Sequence, residues 1–477
     1  MKSIVNQALL ACLCKPSDSA IEVTNPATGE VLGSIPVQSR QEIDDALERS
    51  RQAQKEWQKT TAKERAVILK RWYDLLMANQ DDLGRIMTME QGKPLAEAKG
   101  EVAYGASFIE WFAEEGKRTY GDTIPGHTGD RRLMTIKQPV GVAAAITPWN
   151  FPIAMITRKA APALAAGCSF VGKPAHQTPL SAYAVAELAY QAGVPRDVFQ
   201  LVMHKSPQEV GDAFCKSEAV RKLSFTGSTR VGRILTAQCA DTVKRVSMEL
   251  GGNAPFVVFD DADLDAAVAG AIASKFRNAG QTCVCANRLY VHDAIYDQFM
   301  DKFIAAVGRL RMGNGLDEGV NVGPVIDQVA KHKILGLVDH AVSQGAKIAA
   351  GGTLQDGLFV EPTVLTDVEQ SMDIVQEEIF GPVAPVIRFS SDEELITKAN
   401  DTIYGLAAYF YSRDINRIWK VAESLEYGMV GINEGIISTE VAPFGGVKQS
   451  GFGREGAKEG IDEYLEVKYL CFGGIQG

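Results

Sequence analysis

The 477 residues hold no apolar run near the roughly 18 that a membrane-spanning helix requires, no basic block, and no CxxC pair or cysteine–histidine alternation. The first absence excludes a helical passage through a bilayer. The second, with a formal net charge of -10 and a pI near 5.3, argues against a nucleic-acid partner, since nothing stands ready to neutralise phosphates in bulk. The third leaves no zinc pattern, so no metal is expected. Eight scattered cysteines (12, 14, 168, 215, 239, 283, 285 and 471) fit reduced thiols in a cytoplasmic setting. A secretory leader is not expected either: Leu9-Leu10-Ala11-Cys12 has the form of a lipoprotein cleavage box, but Asn6 and Gln7 interrupt the apolar run and only Lys2 precedes it.

What is present is an ordinary globular composition, 46% hydrophobic and 23% charged, long enough for two or three domains. Val23-Thr24-Asn25-Pro26-Ala27-Thr28-Gly29-Glu30 reads as a turn between short strands. Helical spacing of apolar residues follows over Gln41 to Trp57, Ala62 to Ala78 and Pro94 to Glu115. A turn-rich stretch from Gly121 leads into Leu133–Ile136, an arm with which the last strand-like run, Tyr464 to Cys471, is a candidate to pair.

From Gly141 strands and helices alternate. Strand-like runs at Gly141–Thr147, Cys168–Gly172, Val198–Met203, Arg221–Phe225 and Val243–Leu250 imply an open parallel sheet with helices on both faces. Ligands bind such sheets beyond the strands' carboxyl ends. Those ends carry Thr147-Pro148-Trp149-Asn150, Lys173-Pro174-Ala175-His176 and Thr226-Gly227-Ser228-Thr229. Gly227 and Ser228 open a helix whose first amides suit a phosphate, although a plain Ser228 cap reads the same way.

A second alternating region starts with the strand Phe256–Phe259. Asp263 then caps a helix with the apolar stripe Leu264, Ala267, Val268, Ala271 and Ile272, which runs to Gly280-Gln281-Thr282-Cys283-Val284-Cys285. Cys283 thus falls on a short turn between a helix and the strand Ala286–Val291, a setting that suits a nucleophilic cysteine as well as a small buried hydrophobe. The glycine-dense stretch from Pro443 to Gly456 reads as irregular backbone.

Pro148-Trp149-Asn150-Phe151-Pro152, Phe225-Thr226-Gly227-Ser228-Thr229, Glu249-Leu250-Gly251-Gly252, Gly280-Gln281-Thr282-Cys283, Glu378-Ile379-Phe380-Gly381-Pro382 and Pro443-Phe444-Gly445-Gly446 occur in the order and approximate spacing of the aldehyde dehydrogenase superfamily, which the chain resembles from about Asn25 onward. Within it the chain most resembles succinate-semialdehyde dehydrogenases, on Met155-Ile156-Thr157-Arg158-Lys159, Lys275-Phe276-Arg277-Asn278, Cys283-Val284-Cys285 and the run Gly431 to Ser438.

The resemblance implies an α/β fold of two open parallel-sheet, Rossmann-type domains plus a β-arm for oligomerisation. Its expected divisions are a cofactor domain over 1–120 and 140–250, a catalytic domain over 251–440, and arm and tail over 121–139 and 455–477. It implies that Cys283 attacks the aldehyde, that the Asn150 amide and the Cys283 N–H stabilise the oxyanion, and that Glu249 activates the water that hydrolyses the thioester. Lys173 and His176 are assigned to the adenosine ribose, Gly227 and Ser228 to the pyrophosphate, Glu378 to the nicotinamide ribose, and Trp149 and Phe380 to the border of the cofactor, with core packing the alternative for these two aromatics. A homodimer or homotetramer is implied. A cofactor-free cysteine hydrolase is the rival from another class, but no histidine falls in a motif that sets it beside Cys283.

A semialdehyde carries a carboxylate, which enters a pocket only against a charge-assisted donor. The resemblance sets Arg158, Arg277 and Ser438 there, with Arg158 and Arg277 facing the aldehyde entrance, and favours succinate semialdehyde over glutarate semialdehyde or another small aldehyde. It also suggests a redox switch between Cys283 and Cys285. His176 stands where NAD-preferring members usually have glutamate. Removing the repulsion between that carboxylate and a 2′-phosphate ~5 Å away is worth about 3 kcal/mol at a dielectric of about 20, so NADP is expected ahead of NAD, with a protonated His176 adding to the charge of Lys173.

Overall fold

The computed structural model describes residues 4–13 and 19–475; Cys14 lies outside them. No helix among the described residues is long and apolar enough to cross a membrane. The N-terminal turn lies between the antiparallel strands Ala20–Thr24 and Val31–Pro36. The expected helices are found as Arg40–Trp57, Ala62–Ala78 and Leu95–Glu115. Capping boxes start the first two: Ser39 and Thr61 accept from the amides of Glu42 and Glu64, whose carboxylates return the bond. A further helix, Gln80–Gln91, has no counterpart in the sequence reading. Its buried positions include the polar Asp82, Glu90 and Gln91, which blur the apolar period. Glu90 has a task in that position: its carboxylate accepts from the amides of Leu180 and Ser181, the start of the helix Pro179–Ala192.

Two open sheets form the body. One runs Gly451–Phe452, Arg245–Glu249, Val220–Thr226, Val142–Ile146, Ser169–Lys173, Phe199–Leu201, and is parallel except for its first member. The other runs Lys347–Ala350, Thr363–Thr366, Val383–Phe389, Ala286–His292, Ala254–Val258, Ala407–Tyr411, Met429–Ile432, again with one antiparallel edge. The glycine-dense stretch is therefore not wholly irregular: Gly451 and Phe452 add an edge strand against Glu249 and Met248. Only glycine serves at 451, where φ is +115° and a Cβ would fall 1.8 Å from the Met248 carbonyl oxygen.

The arm forms as anticipated. Leu465–Phe472 pairs antiparallel with Arg132–Pro139, setting Cys471 opposite Leu133 and Lys468 opposite Ile136, and Thr123–Ile124 adds a third strand. Val467, Tyr469 and Phe472 on it are exposed.

The two sheets meet end to end. Asn150, Lys173, Gly227 and Glu249 lie at or just past the carboxyl ends of their parallel strands in the first sheet. Gly252, Cys283 and Phe380 come just before the amino ends of strands in the second. A larger polar cleft of ≈1310 Å³ opens at the opposite, amino ends of the first sheet, lined by Val142, Val220 and Arg245, and contains none of the motif residues.

Candidate active site

The helix before Cys283 begins where expected, with the Asp263 carboxylate accepting from the amides of Asp265 and Ala266. It stops earlier than expected, at Phe276, and Arg277–Gly280 forms a tight 3-10 turn. Asn278 and Ala279 both adopt left-handed backbone, φ 52° and 53°, an unfavourable state for residues with side chains. Three separate chain segments hold that turn in place, with a bond inside the turn as well. The Asn278 amide donates to Glu97 at 2.8 Å, its side chain donates to the carbonyls of Asn150 at 3.0 Å and Gln281 at 3.2 Å, and the Ile326 amide donates to the Gln281 side chain at 2.9 Å. Gly280 admits no Cβ, which would fall 2.2 Å from the Gly381 carbonyl oxygen.

Cys283 emerges from this turn into a groove of ≈460 Å³ shared with Asn150, Gly227, Ser228, Glu378 and Phe380. Burial pushes its thiol up to about 12, against the opposing pull of Arg158, so it rests protonated at neutral pH. The charged groups acting on it are Arg158, Glu378 and Glu249, and no histidine is among them.

Asn150 gives one amide hydrogen to the Gln281 carbonyl at 3.0 Å, leaving its second for the groove. Its own carbonyl accepts from Lys93 Nζ at 2.7 Å. Lys93 is buried and paired with Glu101, whose other oxygen accepts from the Ile153 amide at 3.0 Å. The oxyanion candidate thus stands on a buried ion pair between Lys93, just ahead of helix Leu95–Glu115, and Glu101 within it, neither of which was picked out from the sequence.

Glu249 is buried with Oε2 unpartnered. Burial first, then the charge of Glu455, raises its carboxyl well above the usual range, against Arg158 and Lys159. Burial also pushes on Glu455, but Arg158 and Lys159 outweigh it and hold that carboxyl low, and both are ion-paired with it. Lys159 donates in addition to Thr226 Oγ1 at 2.7 Å. Sequence reasoning missed Lys159 and Glu455 as parts of the site. The signal for Lys159 was its place in the Met155–Lys159 run; for Glu455 it was a lone acid among glycines.

The two arginines part company. The expectation that Arg158 faces the entrance is corrected: its side chain is 1% exposed, ion-paired with Glu455 and stacked 4.4 Å from the Phe444 ring. Arg277 is half-buried, lies 5.4 Å from the Phe151 ring, and has no ion-pair partner among the described residues. Ser438 is half-buried on the loop after Met429–Ile432, beside a cavity of ≈210 Å³ lined by its neighbours Ile437 and Thr439.

Ser228 caps the helix Thr229–Ala240 by accepting from the Val231 amide, so the cap and the phosphate-binding reading coexist at one helix start. Glu378 accepts from the Gly252 amide at 3.0 Å, and burial lifts its carboxyl to about 7. Trp149 and Phe380 meet edge to face at 5.6 Å, both half-buried beside the groove. Farther out, Lys173 is buried, lowered to about 8 by that burial, and donates only to the Pro174 carbonyl. His176 Nε2 is buried without a partner. Burial and then the Lys173 charge lower this imidazole, so the protonated form expected beside a 2′-phosphate depends on that phosphate to raise it. The helix start at Ser228 and the Glu378 carboxylate share the groove, and the unpartnered His176 ring nitrogen beside Lys173 follows the neighbouring strand's carboxyl end, a donor and acceptor set that suits a dinucleotide.

Cys285 is a free, buried thiol reaching the carbonyls of Lys275 and Ala286, each at 3.5 Å, and Cys283 is likewise free.

Comparison with known proteins agrees with this layout. The profile described as Aldehyde dehydrogenase family matches residues 14–470. The chain is 61% identical to glutarate-semialdehyde dehydrogenase of Pseudomonas putida, covering 94% of each chain. It is 60% identical to the NADP(+) succinate-semialdehyde dehydrogenase GabD of Escherichia coli, covering 95% of this chain and 94% of that one. Among solved structures, an Escherichia coli NADP-dependent enzyme superposes with a TM-score of 0.94 at 60% identity over 95% of both chains.

Proposed function

The chain belongs to the aldehyde dehydrogenase family, and from that premise we propose that it oxidises a semialdehyde to its dicarboxylate, succinate semialdehyde ahead of glutarate semialdehyde, with NADP ahead of NAD. The observation that carries this reading is the meeting of Cys283 and Asn150 in one groove, with the buried Glu249 carboxyl acting on the thiol from behind it and the guanidinium of Arg277, which has no ion-pair partner among the described residues, on the Phe151 side.

A nicotinamide dinucleotide bound there supplies the hydride acceptor; Lys173 and His176 would hold its adenosine ribose, Gly227 and Ser228 its pyrophosphate, Glu378 its second ribose, and Trp149 and Phe380 would border the ring. The Cys283 sulfur passes its proton to solvent as it adds to the aldehyde carbon, and makes that carbon tetrahedral. The free hydrogen of the Asn150 amide and the Cys283 N–H receive the oxyanion, each donor worth about 3 kcal/mol. Once the thioester has formed, Glu249 takes a proton from water, and hydroxide attack releases the acid. Its carboxyl, raised by burial and then by Glu455 against Arg158 and Lys159, suits a base that must also give the proton up again. Arg277 holds the far carboxylate of the substrate, with Ser438 assisting.

We assign residues 1–120 and 140–250 to cofactor binding, 251–440 to catalysis, and 121–139 with 455–477 to assembly as a homodimer or homotetramer, for which the exposed Val467, Tyr469 and Phe472 are the support. The free thiols favour a cytoplasmic location. A reversible Cys283–Cys285 disulfide belongs to the same reading and requires Cys285 to swing from the Lys275 carbonyl.

The test is a panel of succinate semialdehyde, glutarate semialdehyde and butanal assayed with both cofactors. Succinate semialdehyde with NADP is expected to lead, and Arg277→Ala is expected to cost the two semialdehydes about 2 kcal/mol, ~30-fold in kcat/KM, while sparing butanal. Equal use of butanal and succinate semialdehyde by the wild type refutes the substrate class.

A further inference from the structure

Lysines withdrawn from water normally face a carboxylate, and Lys93, Lys159 and Lys222 do so with Glu101, Glu455 and Glu463. Three others that are nearly as buried, Lys173, Lys331 and Lys244, donate to backbone carbonyls. Lys275 has neither. It is fully buried, and among the described residues its Nζ has no hydrogen-bond partner and no carboxylate within ion-pair distance. The polar group it meets is the Cys285 thiol, on the turn behind Cys283.

The fold brings these two together from opposite ends of a short excursion. Lys275 sits in the last turn of the helix Leu264–Phe276, and Cys285 directly precedes the strand Ala286–His292. The Cys285 sulfur turns toward the helix end, 3.5 Å from the carbonyl of Lys275 itself. An ammonium buried without a counter-charge is strongly disfavoured. Burial lowers the Lys275 amine from the ordinary lysine range and raises the Cys285 thiol, which favours the uncharged form of each, and an uncharged amine is a nucleophile.

We propose that Lys275 and Cys285 form a modification site at which a peroxide installs a reversible sulfur–nitrogen bond. The peroxide transfers one oxygen to the Cys285 thiol, giving the sulfenic acid and the alcohol or water derived from the peroxide; the sulfur is oxidised by two electrons and the peroxide is reduced. The Lys275 nitrogen lone pair then attacks that sulfur. The S–O bond breaks, and the oxygen departs as water with a proton from the nitrogen. Two equivalents of an external thiol reverse the process, restoring thiol and amine and leaving as a disulfide. The bond ties the helix end to the Cys283 turn, so activity falls while it lasts. It makes no use of Cys283, so it stands apart from any Cys283–Cys285 disulfide.

The chain offers a clean readout, because Arg277 lies between the two residues and Arg288 follows them. Full-length enzyme and its Cys283→Ser variant are treated with hydrogen peroxide, alkylated, cleaved after arginine and mapped by mass spectrometry. The expected product joins the peptide ending at Arg277 to the one ending at Arg288, two hydrogens lighter than their sum, in both proteins, and dithiothreitol separates it. Lys275 in that product also resists a lysine-specific protease. A Cys283–Cys285 disulfide would stay inside one peptide. Recovery of Cys285 only as thiol, as sulfinic acid or within that internal disulfide overturns the proposal.

Discussion

The surroundings of Cys283 and those of the residues proposed for the adenosine are built differently. On the nucleophile side Cys283, Asn150 and Glu249 arrive from three chain segments and are braced by buried groups from others: Gln281 and Asn278 on the turn, Lys93 with Glu101 below Asn150, and Glu455 with Arg158 and Lys159 below Glu249. On the adenosine side Lys173 and His176 are neighbours in the sequence, and the imidazole nitrogen and the ammonium have little around them to bond. A braced side tolerates little change and does chemistry; a sparsely bonded side leaves its specificity to one or two charges.

The largest effect expected from this contrast is at Asn150. Asn150→Ala removes an oxyanion donor and should lower kcat by ~10²–10³ with the cofactor Kd unchanged. A loss in cofactor affinity with kcat preserved would mean that the braced side serves binding.

His176→Glu comes next. It should shift the ratio of kcat/KM for NADP over NAD by about two decades toward NAD, leaving the rate of the chemical step alone. A wild type that already prefers NAD, or a variant equally good with NADP, would show that this position does not set the choice.

The third effect is read from pH. A general base works only when deprotonated, and the Glu249 carboxyl is raised, so hydrolysis of the thioester should climb about tenfold per unit of pH below that elevated level and flatten above it. The protonated resting thiol of Cys283 bends the profile the same way, so the two are separated by following the pre-steady-state burst, which reports acylation, and the later turnover. Turnover of a preformed thioester that is flat from pH 5 to 8 would remove Glu249 from the role.

The smallest effect belongs to Lys173. Its amine is lowered to about 8, so as pH rises through that value the charge is lost and NADP binding should weaken by roughly fivefold between pH 7 and 9 while NAD binding barely changes. Calorimetric titration of the two cofactors at both pH values checks this; a parallel loss for both would place the titration elsewhere.

Much of this was legible in the residues. The helix Ala62–Ala78 was readable to the residue because its apolar stripe and Thr61 cap coincide, and the pairing of the last strand with the arm followed from two lone strand-like runs. Helix Gln80–Gln91 was not legible, because its buried acids and amides serve other elements. Nor was the end of the Cys283 helix, since nothing local in Arg277-Asn278-Ala279 announces left-handed backbone that distant segments impose.

The sequence by itself determined which residues are the candidates for the chemistry: Cys283, Asn150 and Glu249 stand in motifs whose order and spacing are a property of the chain. Tertiary structure alone decided the states of those residues and of their supports. Arg158 became a buried partner of Glu455 while Arg277 stayed free, burial lowered the His176 imidazole, and Lys275 met a thiol instead of a carboxylate. The physical reason is that charge and proton affinity are set by what lies within a few ångströms and by how much water is excluded, and those neighbours come from parts of the chain far away in sequence.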